Sequence, residues 1–309
     1  MIESMYQVQR ESHSLWVPLR GCQYHVRQWG NAATGATPLV LAHGWMDVAA
    51  SWQFMVDAFS EAYAAHRPII AMDWRGYGLT EAPVTDSYWF PDYLADLDAL
   101  LDALYPDQTI DLVGHSMGGN VVMMYAGSRP ERIRRLVNLE GFGMPTTRPS
   151  QAPGRMSQWL DELKAQRNGD NTLKPYADAA GVAARLMKTN RRLGQDQAQW
   201  LAQHWAREQA DGQWHILGDA AHKVVNPYLF HVEEALAMYS RISAPVLAVE
   251  ASDDSLGQWW KGRYTLEEFH ERLKSVPQLT QAFIPDAGHM LHHDQPQALA
   301  ALIENFTTA

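Results

Sequence analysis

The stretch TIDLVGHSMGGNVVMMYA (residues 109–126) joins a buried-strand pattern to a helical pattern through a glycine-rich turn. Its centre, GHSMG (residues 114–118), fits the G-x-S-x-G pattern, in which a serine occupies a tight strand-to-helix turn. Such a turn needs small residues because its neighbours crowd together. It exposes the serine hydroxyl at a helix N-terminus, where the helix dipole favours developing negative charge. The pattern therefore predicts that Ser116 is a nucleophile.

The same strand–helix alternation continues on both sides of this turn. After an opening hairpin over residues 16–19 and 23–28, short apolar runs predict buried strands at Pro38–Ala42, Pro68–Met72, Thr109–Val113, Arg135–Leu139, Pro245–Val249 and Thr280–Ile284. Between these runs, apolar residues recur every three or four positions, which indicates amphipathic helices over residues 52–63, 94–104 and 299–306, with a further capped helix starting at Thr265. We therefore expect an α/β fold with a mostly parallel, doubly wound sheet.

Residues 144–240 lack this alternation. The region opens with the Pro/Gly-rich segment MPTTRPSQAPGR (residues 144–155) and continues with polar helical patterns. We expect it to form a helical lid inserted into an α/β core made by residues 1–143 and 241–309. Six tryptophans, four in this region and two after it, are expected to divide between lining an aromatic pocket and packing the lid onto the core; they are Trp159, Trp200, Trp205, Trp214, Trp259 and Trp260.

A serine hydroxyl is a poor nucleophile unless a base takes its proton. His289 follows the last strand pattern and precedes the C-terminal helix, so it is expected at the same sheet edge as Ser116. We predict that His289 is the base. A carboxylate must then hold the imidazole in the right tautomer. Chain order favours Asp254 as this carboxylate, with Asp253 as the second choice. Glu140, which follows the 135–139 strand, is the alternative.

An oxyanion hole needs two backbone N–H groups. The first is expected from Met117, the residue after the nucleophile. The second is expected from Trp45, in the loop that follows the Pro38–Ala42 strand. The side chain of His43 in the same loop is expected to position the loop by hydrogen bonding.

The succession LAHGW (41–45), MDWRGYGLT (72–80), LVGHSMGG (112–119), PVLAVEASDD (245–254) and DAGH (286–289) resembles the α/β-hydrolase superfamily. It is most similar to the branch with a helical lid after the sixth strand, which includes epoxide hydrolases, haloalkane dehalogenases, carbon–carbon bond hydrolases and many esterases. The resemblance covers nearly the whole chain outside the lid. In that family, the acid of the catalytic triad stands three residues after a glycine that ends the seventh strand. Ala251 occupies the position of that glycine here, so the resemblance implies that Asp254 is the acid. The epoxide hydrolases and dehalogenases use an Asp nucleophile, so Ser116 disfavours both activities.

Composition excludes several classes of partner. The chain has 25 Lys and Arg against 35 Asp and Glu, a net charge of −10, which disfavours nucleic acid and anionic membrane surfaces.

A single cysteine, Cys22, allows no intramolecular disulfide, and the N-terminal segment lacks a signal-peptide layout, so a cytoplasmic location is expected. The histidines of HMLHHD (289–294) lack the HExxH spacing of zinc helices. We expect no metal and no cofactor.

Together these features predict a serine hydrolase that cleaves a small or medium carboxylic ester with an apolar part through an acyl-enzyme. One alternative is a carbon–carbon bond hydrolase that uses the same triad on a diketone-type substrate. Another, from a different class, is a sensor that binds a small ligand and signals through its lid. Fold alone does not choose among them.

Overall fold

A computed structural model describes residues 5–30 and 35–309; the first four residues of the expected core and residues 31–34 lie outside the described part. The strands of the main sheet lie close to the predicted positions. The strands are β1 (His13–Leu19), β2 (Cys22–Trp29), β3 (Leu39–Ala42), β4 (Ile69–Met72), β5 (Ile110–His115), β6 (Ile133–Leu139), β7 (Ala206–Glu208), β8 (Trp214–Ile216), β9 (Val246–Ala251) and β10 (Leu279–Ile284). Strands β7 and β8 form a separate hairpin.

Helices alternate with these strands. They are α1 (Gln53–Ala58), α2 (Glu61–Ala64), α3 (Phe90–Leu104), α4 (Met117–Ser128), α5 (Ala152–Arg167), α6 (Ala179–Thr189), α7 (Gln195–Trp205), α8 (Val232–Tyr239), α9 (Ser255–Trp260), α10 (Leu266–Leu273), α11 (Leu291–Asp294) and α12 (Pro296–Thr308). Within the described ranges, no helix has the length and apolar character needed to cross a bilayer. The cap predicted for α10 is confirmed, because the Thr265 side chain accepts the Glu268 N–H at 3.2 Å.

Eight strands form one sheet in the order β1-β2-β4-β3-β5-β6-β9-β10. Strand β2 runs antiparallel to β1 and β4, and the remaining pairs are parallel. Alternate residues of the central strands enter different apolar clusters: Leu112 and Leu136 belong to one, and Val113 and Val137 to the other. Both faces of the central sheet are therefore covered, which confirms the predicted doubly wound α/β architecture.

Two local predictions differ from the structure. The expected helix over residues 52–63 is broken before Ser60, because the Ser60 side chain accepts the Tyr63 N–H and starts a new helix, α2. The last strand, β10, is buried mainly at one end: Thr280 and Gln281 are exposed, and Phe283 is 61% exposed. As the final strand in the order, β10 has a sheet neighbour on one side.

The segment between β6 and β9 holds α5 to α8 and the β7–β8 hairpin, which sequence patterning missed because each strand has three residues. An apolar cluster joins this inserted segment to the residues after β3: Val182, Trp200 and Leu201 pack with Val48 and Phe54. The Trp205 indole also donates to the carbonyl of Met46 at 3.0 Å. Trp200 and Trp205 therefore pack the inserted segment onto the sheet domain.

The sheet register brings several loops to one edge. Ala42 of β3 pairs with Gly114 of β5, and Leu139 of β6 pairs with both His115 and Val249. Because parallel strands end at the same side of a sheet, the residues after β3, β5, β6 and β9 meet there.

We predict that Gly118→Ala lowers the free energy of unfolding by about 2 kcal/mol or more, because an added Cβ has no space. It would lie 2.3 Å from the backbone oxygen of Ala42 and 2.6 Å from that of His43. Gly154→Ala is the matched control, since no heavy atom lies within 4 Å of its Cβ position, and we expect it to be neutral or slightly stabilising. Urea unfolding of both variants checks this, and equal stabilities would contradict it.

Candidate active site

Ser116 lies in the strained turn between β5 and α4. Its backbone has φ +54° and ψ −116°, and its N–H donates to the carbonyl of Leu139 at 2.8 Å. The turn is tight enough that a Cβ on Gly114 would lie 2.4 Å from the Gly118 carbonyl oxygen. The predicted strand–turn–helix geometry around Ser116 is therefore present, and glycine is required at its crowded positions.

The loop after β3 packs directly against this turn. A Cβ on Gly44 would lie 3.2 Å from the Cβ of Ser116, so the two backbones approach closely. His43 fixes the loop: its Nε2 accepts the Trp74 N–H at 3.0 Å, and its Nδ1 lies 2.7 Å from the Gly44 carbonyl oxygen. Burial lowers the pKa of His43 to about 4, so the ring is neutral. The expected oxyanion donors are the next residues along the chain: Trp45 follows Gly44, and Met117 follows Ser116.

His289 lies on the loop between β10 and α11. Its Nδ1 is 3.3 Å from Oε2 of Glu140, and its carbonyl oxygen is 2.7 Å from Nε2 of His115. The second contact ties the His289 loop to the residue that precedes Ser116. The ring of Trp259 stands edge-on to the imidazole, with centroids 4.2 Å apart. Burial lowers the pKa of His289 to about 3.

Glu140 follows β6 directly and is 3% exposed. Its Oε1 accepts the N–H of Ala251 at 2.8 Å, which leaves Oε2 directed at His289. Its backbone has φ +54°, and the turn is held by two hydrogen bonds between Asn138 and Gly141 at 2.9 and 3.0 Å. Burial raises the pKa of Glu140 to about 7.

The structure gives the carboxylate contact of His289 to Glu140 and not to the favoured Asp254. Oδ1 of Asp254 accepts the Gly257 N–H at 2.7 Å and caps α9. Asp253 pairs with Arg192 of the inserted segment at 2.7 Å. The physical reason is that β6 and β9 are neighbours, so either strand end can deliver a carboxylate to this place. In the sequence, the feature that pointed to Glu140 as a candidate was its position between the buried strand β6 and Gly141.

Besides its pair with Asp253 and its apolar packing, the inserted segment makes two further contacts with the sheet domain. Asn190 donates to Asp294 at 2.7 Å, and Asp294 in turn accepts the N–H of Gly288, beside His289, at 2.8 Å. On the other side, the His222 ring is stacked between Tyr77 and Tyr88, with centroid distances of 3.8 and 3.7 Å. The inserted segment is therefore joined by hydrogen bonds to the loop that carries His289.

Further histidines lie behind the turn. His115, His292 and His293 are buried, and the ring centroids of the first two are 4.5 Å apart. Burial lowers the pKa of each of them, to about 3 for His293. Asp47 beside them is also buried, and burial raises its pKa to about 7. This polar cluster was missed at the sequence level because its members come from three segments that are far apart in the chain.

Comparisons with known proteins agree on the fold. The family model described as alpha/beta hydrolase fold matches residues 37–296. A serine hydrolase-like protein of Danio rerio is 26% identical over 296 residues, which cover 94% of this chain and 85% of that protein. A 2-hydroxy-6-oxo-2,4-heptadienoate hydrolase of Pseudomonas putida is 36% identical over 110 residues, 35% of this chain and 38% of that protein.

Among solved structures, the thioesterase domain from the curacin biosynthetic pathway superposes with a TM-score of 0.79. The two chains are 24% identical, and the match covers 95% of this chain and 99% of that domain. At this identity the likeness concerns the fold.

We predict that the protein loses stability steeply below pH 6.5. Seven histidines have a pKa lowered by burial; they are His43, His115, His204, His222, His289, His292 and His293. The unfolded chain binds protons on them that the folded chain does not, so the free energy of unfolding falls as pH falls. Asp47 and Glu140, with raised pKa values, oppose this in the same window. The net loss between pH 7 and pH 5.5 is on the order of 5 kcal/mol.

Urea unfolding at pH 7, 6.25 and 5.5 measures this dependence. His222→Asn removes one of the seven groups, so its loss over the interval should be smaller by roughly 1 kcal/mol. Stability that stays level or rises as the pH falls would contradict the prediction.

Proposed function

We propose that this chain, which belongs to the α/β-hydrolase fold family, is a serine hydrolase that cleaves carboxylic esters through an acyl-enzyme. The observation that carries the proposal is the 3.3 Å contact between Nδ1 of His289 and the buried carboxylate of Glu140. The backbone of His289 is in turn hydrogen-bonded to His115, the residue before Ser116. A strained serine, an imidazole and a desolvated carboxylate together have the composition of a nucleophilic triad. That the protein is a hydrolase follows from its family and its relatives.

In the proposed reaction, Ser116 Oγ attacks the ester carbonyl carbon while Nε2 of His289 takes the hydroxyl proton. Glu140 accepts the Nδ1–H of His289, which sets the tautomer and stabilises the imidazolium. The N–H of Ala251 holds the other oxygen of Glu140 in place. His289 then donates its proton to the leaving alkoxide, and the acyl-enzyme forms on Ser116. Water activated by His289 releases the acid by the same steps.

The N–H groups of Trp45 and Met117 are proposed to bind the oxyanion of the tetrahedral intermediates. Support comes from the close approach of Gly44 to Ser116, since Trp45 and Met117 are the next residues along the two chains. The N–H of Met117 lies in the first turn of α4, where backbone donors have no acceptor within the helix. Developing negative charge there also gains from the helix dipole.

We further propose that residues 144–240 act as a lid over a core of residues 1–143 and 241–309, and that the substrate is a small molecule with an apolar part. The Asn190–Asp294–Gly288 contacts support this, because they couple the inserted segment to the His289 loop. Trp259, which is 47% exposed and lies against His289, offers an aromatic surface for the apolar part of the substrate. Trp45, 52% exposed, adds a second such surface beside the proposed oxyanion site.

We expect Ser116→Ala to lower turnover of p-nitrophenyl acetate and butyrate by about 10³-fold or more, because the nucleophile is lost. Ser128→Ala is the matched control, since the Ser128 hydroxyl bonds to Met124 in the last turn of the same helix. A wild-type burst followed by steady release of p-nitrophenol establishes the acyl-enzyme. Turnover that survives in Ser116→Ala contradicts the mechanism, and folded wild type inert toward esters favours the carbon–carbon hydrolase or the sensor.

We expect Glu140→Gln to lower kcat by about 10²-fold or more, because an amide cannot stabilise the imidazolium. Asp254→Asn should stay within about 3-fold of wild-type kcat, with a stability change of at most about 1 kcal/mol at the α9 cap. Steady-state kinetics of both variants, with circular dichroism to establish folding, decide between the two carboxylates. Loss of activity in Asp254→Asn with Glu140→Gln active would reverse the assignment.

A further inference from the structure

Three separate segments at the carboxyl edge of the sheet each contribute one buried side chain of a metal-binding type to a common cluster. Asp47 follows β3, His115 ends β5, and His292 lies in α11 after β10. Their exposed fractions are 6%, 2% and 0%. One ligand atom from each lies within 4.8 Å of the others.

The tautomer of His115 is fixed by its surroundings. Its Nε2 lies 2.7 Å from the carbonyl oxygen of His289, which can only accept, so Nε2 carries the proton. Nδ1 therefore presents a lone pair. Among the described residues this buried nitrogen has no hydrogen-bond partner. A ring that donates one N–H to a backbone carbonyl and offers the other nitrogen is the usual arrangement of a metal-binding histidine.

The other two side chains also bring unpaired buried atoms. Oδ2 of Asp47 lies 4.0 Å from Nε2 of His292. This oxygen has no hydrogen-bond partner in the part of the chain that the structure describes, and neither has Nδ1 of His292. Nε2 of His292, the ring nitrogen near Asp47, also lies 3.4 Å from Oγ of Ser51. Unpaired buried polar atoms are costly, so Oδ2 of Asp47 and Nδ1 of His115 would both gain from a bound cation.

We infer that Asp47, His115 and His292 form a site for a divalent transition-metal cation of the zinc type. Two imidazoles and a carboxylate are a common ligand set for such ions. Ligands about 2.1 Å from a tetrahedral ion lie about 3.4 Å apart, so modest side-chain rotations close the site. The fourth position takes a water molecule.

The bound ion joins the three loops that also carry Trp45, Ser116 and His289. Through the hydrogen bond from His115 it also reaches the backbone of His289. Its role is therefore to hold these loops in register. Because the coordination uses none of the proposed catalytic side chains, this inference stands or falls independently of the proposed function.

The test is zinc binding by the full chain without an affinity tag, after treatment with a chelator. Zinc is added both to the native protein and during refolding, so that a buried site is reached. We expect one equivalent of zinc per chain by elemental analysis after gel filtration. With free zinc 100-fold above Kd, the Tm should rise by about 5 °C. Cobalt in place of zinc should give the visible absorption bands of a low-symmetry site.

Asp47→Asn and His292→Asn should each abolish stoichiometric zinc binding and the Tm shift. His215→Asn is the matched control, because His215 and Asp211 form an exposed pair at 2.9 Å elsewhere on the surface. Both this variant and Ser116→Ala should bind zinc as the wild type does. If one of the site variants fails to fold, the other variant and the wild-type cobalt spectrum decide.

Two results overturn the inference. One is a wild-type protein that holds no zinc after either route of addition. The other is zinc binding that persists in the site variants or disappears in His215→Asn.

Discussion

The backbone of Ser116 is held at φ +54°, a conformation that costs about 1–3 kcal/mol for a residue with a side chain. Three contacts maintain it: the hydrogen bond from Ser116 N–H to Leu139, the packing of Gly118 on the end of β3, and the approach of Gly44. The contacts come from β6 and from β3 with its following loop, and these are the two strands that flank β5. The turn can therefore exist only when β3, β5 and β6 are already in register, and the loops at their ends are positioned as a consequence.

The sheet was predictable because its central strands are buried on both faces, which gives continuous apolar runs such as Pro68–Met72. The turn at Ser116 was predictable because crowding restricts its neighbours to glycine. Patterning failed where contacts are one-sided or short. The edge strand β10 exposes Phe283, and Ser60 interrupts an apolar repeat by capping a new helix.

The carboxylate that meets His289 was harder to predict, for a physical reason. Glu140, Asp253 and Asp254 all follow strands that end at the same edge, and chain order ranks them without knowing their partners. Asp254 accepts the N–H of Gly257 three residues later, while the partner of Asp253 is Arg192, 61 residues away. The local spacing of Asp254 is that of a helix cap, so a stricter treatment of capping would have left Asp253 and Glu140 as the candidates. The buried group of Asp47, His115 and His292 carried no local pattern at all.

The contact between His289 and Glu140 spans 149 residues, and that between His289 and His115 spans 174. On a ribosome, β5 and the turn that carries Ser116 emerge long before β10 and α12 are made. During that interval Ser116 lacks His289, the base of the proposed mechanism. In the proposed mechanism, Ser116 therefore gains its base only when the last strand docks beside β9.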